Sequence, residues 1–442
     1  MLINRFASFV QNKSSFLYHN SYLLQNIDKL IFVSIVLTFI SAIFVSSDII
    51  GGLCCLTFLL TGIKFLTKEG EKFEFNKIEI ILIAYLMLVL ISTAGASLFI
   101  LSLKGVIKTL TYFGFYLSCL QYFKTHKSDI IKIFAIICGC LAIESIVAII
   151  QNYSKISAIS GWQDISSLNP EQIMTRVYGT LKPYNPNLFC GYIISTIPAI
   201  YGLNLLFFLE KKKRLTITLT ILSALSTIAI FLTGCRGGYI AWVAMATFIF
   251  GLTYKFISPS LKNLYLKISS VLFTLGVGLI LSITALRARI MSIFAFRADS
   301  SNSFRFNVYQ SCIEMFKDNW LLGIGVGNLN FREIYGLYMK SGFDALSAYN
   351  IFLETAIESG LFALLTFVFL LFTSIFEGIK FIFNQAITNR LSAITVGIAI
   401  TSIIGLIVHG FVDTVFFRPQ IQIVFWFMLA TISIYTNKKF SN

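Results

Sequence analysis

The stretch LSAITVGIAITSIIGLIVHGFV, residues 391–412, decides the fold class. It contains no Lys, Arg, Asp or Glu, and His409 is its one ionisable side chain. About 20 helical residues span a hydrocarbon core about 30 Å thick, so the segment has the length of one crossing. Strict alternation of apolar and polar positions is absent, which favours a helix over a barrel strand. A helix also pairs its own backbone groups where lipid offers no water.

Working outward, similar runs lie at 349–376 and 419–436 on either side of it. Nine more precede them, at 30–47, 49–66, 78–97, 100–123, 129–151, 187–208, 215–234, 237–256 and 264–284. The expectation is an all-α polytopic membrane protein of about twelve transmembrane helices. A partly helical external loop separates the ninth and tenth. The weakest division is inside 78–123, where Lys104 and Lys108 interrupt the apolar run. Composition agrees. The 442 residues are 57% hydrophobic and 12% charged, roughly half the charged fraction of a soluble domain.

The net charge of +15 comes as short clusters between apolar runs, which argues against a nucleic-acid surface. Lys is concentrated in alternate connections, such as Lys64 to Lys77 and Lys211 to Lys213. Positive connections stay inside, so both termini are expected in the cytoplasm of an integral inner (plasma) membrane protein. Residues 1–29 read as a cytoplasmic leader and 30–284 as helices one to nine, with an external loop at about 152–186. Residues 285–348 read as an external loop with an amphipathic helix, and 349–442 as the last three helices and a short tail. The lipid bilayer is the first partner, and nothing in the sequence sets the oligomeric state.

External positive charges are mostly Arg: Arg176, Arg236, Arg287, Arg289, Arg297, Arg305, Arg332 and Arg418. A guanidinium binds carboxylate or phosphate as a planar fork, so an Arg-rich mouth points to an anionic ligand. The alternative is pairing with Asp299, Glu333, Asp344 and Asp413 to hold the loops. Four more groups belong at the same depth: Glu354 and Glu358, four apart on one helix face, and His409 and Asp413, likewise four apart. With Arg236 and Arg418 they define one polar, water-accessible cleft, or else a rim of snorkelling and paired side chains. Deeper in, Lys108 and Glu144 match in depth and are expected to form an ion pair.

In the long loop, Phe304, Val308, Cys312, Met315 and Phe316 fall at helical spacing, with Ser303 as the expected N-cap. The GIGVGN run at 323–328 follows no strand, so its glycines read as a tight turn, with anion contact by backbone N–H the lesser reading. The eight cysteines include no CxxC pair and there are three histidines. Neither metal nor cofactor is expected.

Several segments resemble a known superfamily. TGCRGGYIAW, from Thr233, is similar to the Arg-Gly turn of the O-antigen ligase and polymerase superfamily, membrane proteins that handle lipid-linked glycans. The ligase-like region runs from about 215 to 380. RVYGTLKPYNPNLFCGY (from Arg176), SFRFNVYQ (from Ser303), LLGIGVGNLNFREIYGLY (from Leu321), ALSAYNIFLETAIESGL (from Ala345) and HGFVDTVFFRPQIQIVFWF (from His409) resemble the cyanobacterial IctB-type branch. Members of that branch are labelled inorganic-carbon (bicarbonate) transporters, which adds the thylakoid as an alternative membrane. Ligases carry His, then Asn, Ser or Gln, then nine residues and Gly. Tyr349, Asn350 and Gly360 keep that spacing with Tyr in place of His. The resemblance implies that Arg236 meets a lipid pyrophosphate.

Together these readings assign Glu354, His409 and Asp413 as catalytic candidates. Arg176, Arg236, Arg305, Tyr349, Asn350, Glu358 and Arg418 are the anion- or substrate-binding candidates. Two activities compete: bicarbonate uptake, and glycosyl transfer from an undecaprenyl-pyrophosphate-linked glycan. A third reading is a membrane partner that supports another transporter.

Overall fold

The computed structural model describes residues 2–154 and 176–437, and among them there is no strand. The chain opens with α1 (Leu2–Asn20) and α2 (Tyr22–Gln25). The next helices are α3 (Ile27–Ser41), α4 (Ser47–Thr67), α5 (Lys77–Ala94), α6 (Phe99–Phe123) and α7 (Asp129–Tyr153). Then come α8 (Pro186–Leu209), α9 (Lys213–Leu232), α10 (Arg236–Phe256) and α11 (Pro259–Ser282). Three shorter helices follow, α12 (Thr284–Met291), α13 (Ser300–Asp318) and α14 (Asn328–Tyr335). The chain closes with α15 (Ile351–Gln385), α16 (Arg390–Gly410) and α17 (Pro419–Thr436).

Among the described residues the apolar helices number twelve, α3 to α11 and α15 to α17, with the helical segment between the ninth and tenth. Ten of them are long and apolar enough to cross a membrane. The other two are α3, with 15 residues, and α6, which carries Lys104 and Lys108. The expected break inside 78–123 falls at residues 95–98. Most of the loop read at about 152–186, and the basic pair at 438–439, lie outside the described residues.

Burial sorts the helices. A helix apolar on all sides is either a bundle core or a lipid-facing wall. α17 is the core: every residue from Pro419 to Ile434 is buried, against α6, α8, α15 and α16. α11 is the wall, with no buried residue. The polar N-terminal stretch also folds. α1 lies on α4, where Gln11 Nε2 donates to Phe65 O at 2.8 Å and Asn4 Nδ2 to Phe73 O at 2.9 Å.

At the α1 end of the bundle, Lys64 is buried with Asp28 at 2.7 Å and Glu71 at 3.1 Å. Glu71 also meets Lys124 at 3.3 Å. Burial pushes the Glu71 carboxyl up, and the Lys64 and Lys124 charges and hydrogen bonds more than offset that, leaving it below the usual carboxylate range. Removing one partner of a buried cluster strands the others. Lys64→Ala is therefore expected to cost about 3 kcal/mol, read as a fall in Tm in detergent. Adding Glu71→Gln to it should restore part of the loss.

The opposite end carries a roof with its own small core, in which Val308, Cys312 and Met315 of α13 pack on Phe331, Tyr335 and Ile357. The spacing predicted this face. The helix begins four residues earlier than expected, however: Asp299, not Ser303, is the N-cap, accepting from Asn302 N at 2.9 Å. The glycine turn at 323–327 docks on α15, with Ile324 N donating to Ile357 O and Gly325 N to Glu358 O, both at 2.9 Å.

Candidate functional site

Beneath the roof, the ends of α8, α10, α15, α16 and α17 surround a cavity of about 760 Å³. Its chemistry is set by where each helix starts. Arg236 is the first residue of α10, and its guanidinium reaches across to the roof. Nη2 meets Asp299 Oδ1 at 2.9 Å, and Nη1 donates to Ser292 O at 3.1 Å and Ser292 Oγ at 3.0 Å. One arginine thus ties the start of α10 to the N-cap of α13.

Three more guanidiniums crowd the same wall. Arg289 Nε donates to Gly234 O at 2.9 Å, and Arg176 Nε to Thr233 O at 2.8 Å. Arg176 Nη2 also meets Asn187 Oδ1 at 2.5 Å, and Asn187 Nδ2 donates to Asp413 Oδ2 at 2.8 Å. Arg305 stands 3.8 Å from that same oxygen and 5.8 Å from the Tyr349 ring centre. Burial, then the neighbouring Arg176 and Arg236 charges, pull Arg289 down to about 10. Such crowding of like charge is relieved by an anion.

Of the ten residues singled out, eight line this one cavity: Arg176, Arg236, Arg305, Arg418, Tyr349, Glu354, His409 and Asp413. Asn350 and Glu358 do not. Asn350 caps α15, accepting from Phe352 N at 2.9 Å and Leu353 N at 3.0 Å. Glu358 turns under the glycine loop and accepts from Gly327 N at 2.9 Å. The loop's anion is therefore a carboxylate of the chain itself. Glu354 keeps to the cavity, with Oε2 accepting from Ala348 N at 3.0 Å.

The Lys108–Glu144 pair is not formed. Glu144 is capped by Thr180, whose N–H donates to Oε2 at 3.0 Å and whose hydroxyl meets Oε1. Lys108 instead lines the cavity, where the charges acting on it include Arg418, Glu358 and Glu354. Arg289 and Asn187 are further lining residues that no motif assigned. So is Cys235, which sits with Cys190 and His409 in one buried cluster of possible metal donors.

Two titrations bear on the site. Burial raises the Asp299 carboxyl, but the Arg236 hydrogen bond, the Asn302 N–H and the Arg236 and Arg289 charges hold it below the usual aspartate range. The clasp is thus complete above the ordinary aspartate pKa and is lost as pH falls through the lowered value. Asp299→Asn should cost about 1.5–3 kcal/mol near neutrality. Thermal unfolding of variant and wild type should converge in strong acid. The Tyr349 phenol is pushed up to about 12 by burial and by Asp413, against the pull of Arg305. It stays protonated, a donor and not a base, across the physiological range.

A family model described as O-antigen ligase matches residues 221–368. Residues 221–368 are therefore similar to an O-antigen-ligase region. That stretch holds Arg236, Arg289, Asp299, Arg305, Tyr349 and Glu354, whereas Arg176, His409, Asp413 and Arg418 reach the cavity from outside it. No curated protein matches the chain.

Proposed function

We propose that the cavity binds the pyrophosphate of a lipid-linked glycan on the non-cytoplasmic side and that the chain transfers the glycan to an acceptor hydroxyl. The observation that carries this reading is the convergence of six basic side chains on one cavity. Lys108, Arg176, Arg236, Arg289, Arg305 and Arg418 face only two carboxylates, Glu354 and Asp413, among the described lining residues. The O-antigen-ligase region supplies half of those six basic groups. Preorganised donors aimed at a leaving group's developing charge are a large source of rate. The Lys-rich connections at the opposite end favour a cytoplasmic location for that end.

The chemistry divides among the carboxylates by what each already holds. Asp413 accepts from Asn187 with one oxygen and from Val415 N, at 3.1 Å, with the other. Glu354 holds one backbone N–H through Oε2. We therefore assign Glu354 the proton of the acceptor hydroxyl, whose oxygen bonds to the anomeric carbon as the bond to pyrophosphate breaks. Tyr349 O–H and the guanidiniums stabilise the departing anion.

Bicarbonate, with four heavy atoms, would occupy a small part of a 760 Å³ cavity. The IctB-type reading is decided by the same experiment. Purified protein is given undecaprenyl-pyrophosphate-linked glycan with an acceptor, and in liposomes labelled bicarbonate. Glycan transfer is expected, with Glu354→Gln lowering its rate by about 10²-fold or more through loss of the group that takes the acceptor's proton. Bicarbonate flux without transfer from any lipid-linked donor would overturn the proposal.

A further inference from the structure

At the inner wall of the cavity, three helix ends bring together soft donors that no sequence motif links. Cys190 is in the second turn of α8, Cys235 is the N-cap of α10, and His409 is in the last turn of α16. All three are buried, and their donor atoms lie within 4.8 Å of one another, with Cys235 Sγ 3.3 Å from His409 Nε2. A cation bound in a plane by two sulfurs at about 2.3 Å and one nitrogen at about 2.0 Å needs donors about 4 Å apart. The observed spacing meets that with small side-chain shifts.

The backbone around these donors is shaped to admit them. A Cβ on Gly238 would stand 2.1 Å from Cys190 Sγ. One on Gly237 would be 3.3 Å from His409 Cδ2, and one on Gly191 3.6 Å from His409 Cε1. Gly238 thus makes room for the Cys190 sulfur, while Gly237 and Gly191 lie beside the ring and are packed most closely by Val412 and Val415. The charge balance also fits. Arg176 is among the charges acting on both cysteines, so a complex with two thiolates has a cationic neighbour. Cys235 and His409 line the cavity, which gives an ion a path in.

We propose that Cys190, Cys235 and His409 form a binding site for a thiophilic d¹⁰ cation, Cu⁺ or Zn²⁺. Binding releases the thiol protons and joins the metal to both sulfurs and to the imidazole nitrogen. Three donors complete the shell of Cu⁺, whereas Zn²⁺ takes a fourth ligand from the cavity. The ion ties together helix ends that carry Arg236, one residue after Cys235, Asn187, one turn before Cys190, and Asp413, one turn after His409. Its role is positioning, and the site stands independently of the glycan-transfer reading because metal content is measured without activity.

Full-length protein is purified in detergent under anaerobic reducing conditions, and Cu⁺ or Zn²⁺ is supplied in separate arms. After gel filtration, elemental analysis is expected to find about one ion per chain. Cys190→Ser and Cys235→Ser should each lose it while eluting as the wild type does. A control without substitution uses mass spectrometry after alkylation. Bound ion should protect Cys190 and Cys235 from the reagent, and a chelator should remove the protection. Retention of neither ion, or retention unchanged in both serine variants, overturns the proposal. A Cys190–Cys235 disulfide in protein isolated from membranes without reductant also overturns it.

Discussion

Arg236→Ala is expected to lower kcat/KM for glycan transfer by about 10²–10³-fold, the usual effect of removing one preorganised donor from developing charge. A guanidinium has five N–H donors. Three of those on Arg236 are engaged by Ser292 and Asp299, so two remain for a ligand. The same bonds fix the plane of the group, so little entropy is lost when an anion arrives. Loss of rate in the alanine variant alone would leave the structural clasp as a rival explanation. Asp299→Asn separates the two, because it weakens the clasp and keeps the guanidinium. If Arg236 acts on substrate, Asp299→Asn should retain most of the rate at a temperature where it is folded, and Arg236→Lys should recover only part of it. A lysine restores the charge without the planar fork. Equal losses in Arg236→Ala and Asp299→Asn would reduce Arg236 to a fastener of the roof.

How much of this was legible in the sequence depends on whether a feature is local. The twelve apolar helices are local, since each is a run long enough for one crossing. The α13 face was likewise readable from Val308, Cys312 and Met315 at helical spacing. Five of the eight cavity residues, Arg236, Glu354, His409, Asp413 and Arg418, were legible for a related reason: they stand at or near helix ends that the run boundaries already place at one level. Facing is different. Lys108 and Glu144 match in depth, but depth does not fix rotation about the helix axis or which helices touch. α6 packs on α4 and α17, while α7 packs on α8 and α9, so consecutive helices do not present those two groups to each other. The Cys190, Cys235 and His409 cluster was invisible for the same reason, since its members come from three elements far apart in the chain. The pairing of Glu354 with Glu358 in one cleft fails differently. They do share a helix face, but the glycine turn laid over that face takes Glu358 as its own acceptor.

That turn makes Gly360→Ala the substitution expected to damage the fold most. Gly360 has φ 81° and ψ 176°, a conformation open essentially to glycine alone, and it breaks α15 into a short segment before residue 360 and a long one after it. The break frees carbonyls that a continuous helix would consume. Ile357 O accepts from Ile324 N, and Glu358 O accepts from Gly325 N and from Ser92 Oγ at 2.7 Å. Leu361 N in turn donates to Trp320 O at 2.8 Å. An alanine Cβ would lie 2.2 Å from Leu321 O and 2.7 Å from its carbonyl carbon, atoms of a backbone already held on both sides. Strain at Gly360 and displacement of the 320–325 segment add, for an expected loss of about 3–5 kcal/mol. The roof should undock while the α16–α17 core survives. Limited proteolysis should then cut within 319–348 at a temperature where the wild type resists, and Tm should fall. Gly336→Ala is the control, because its Cβ would meet only Glu333 O at 3.3 Å and Arg332 O at 3.7 Å, from a φ of −54°. Wild-type Tm and protease resistance in Gly360→Ala would mean that the kink does not hold the roof. The glycine eleven residues after Tyr349 would then need an explanation other than this turn.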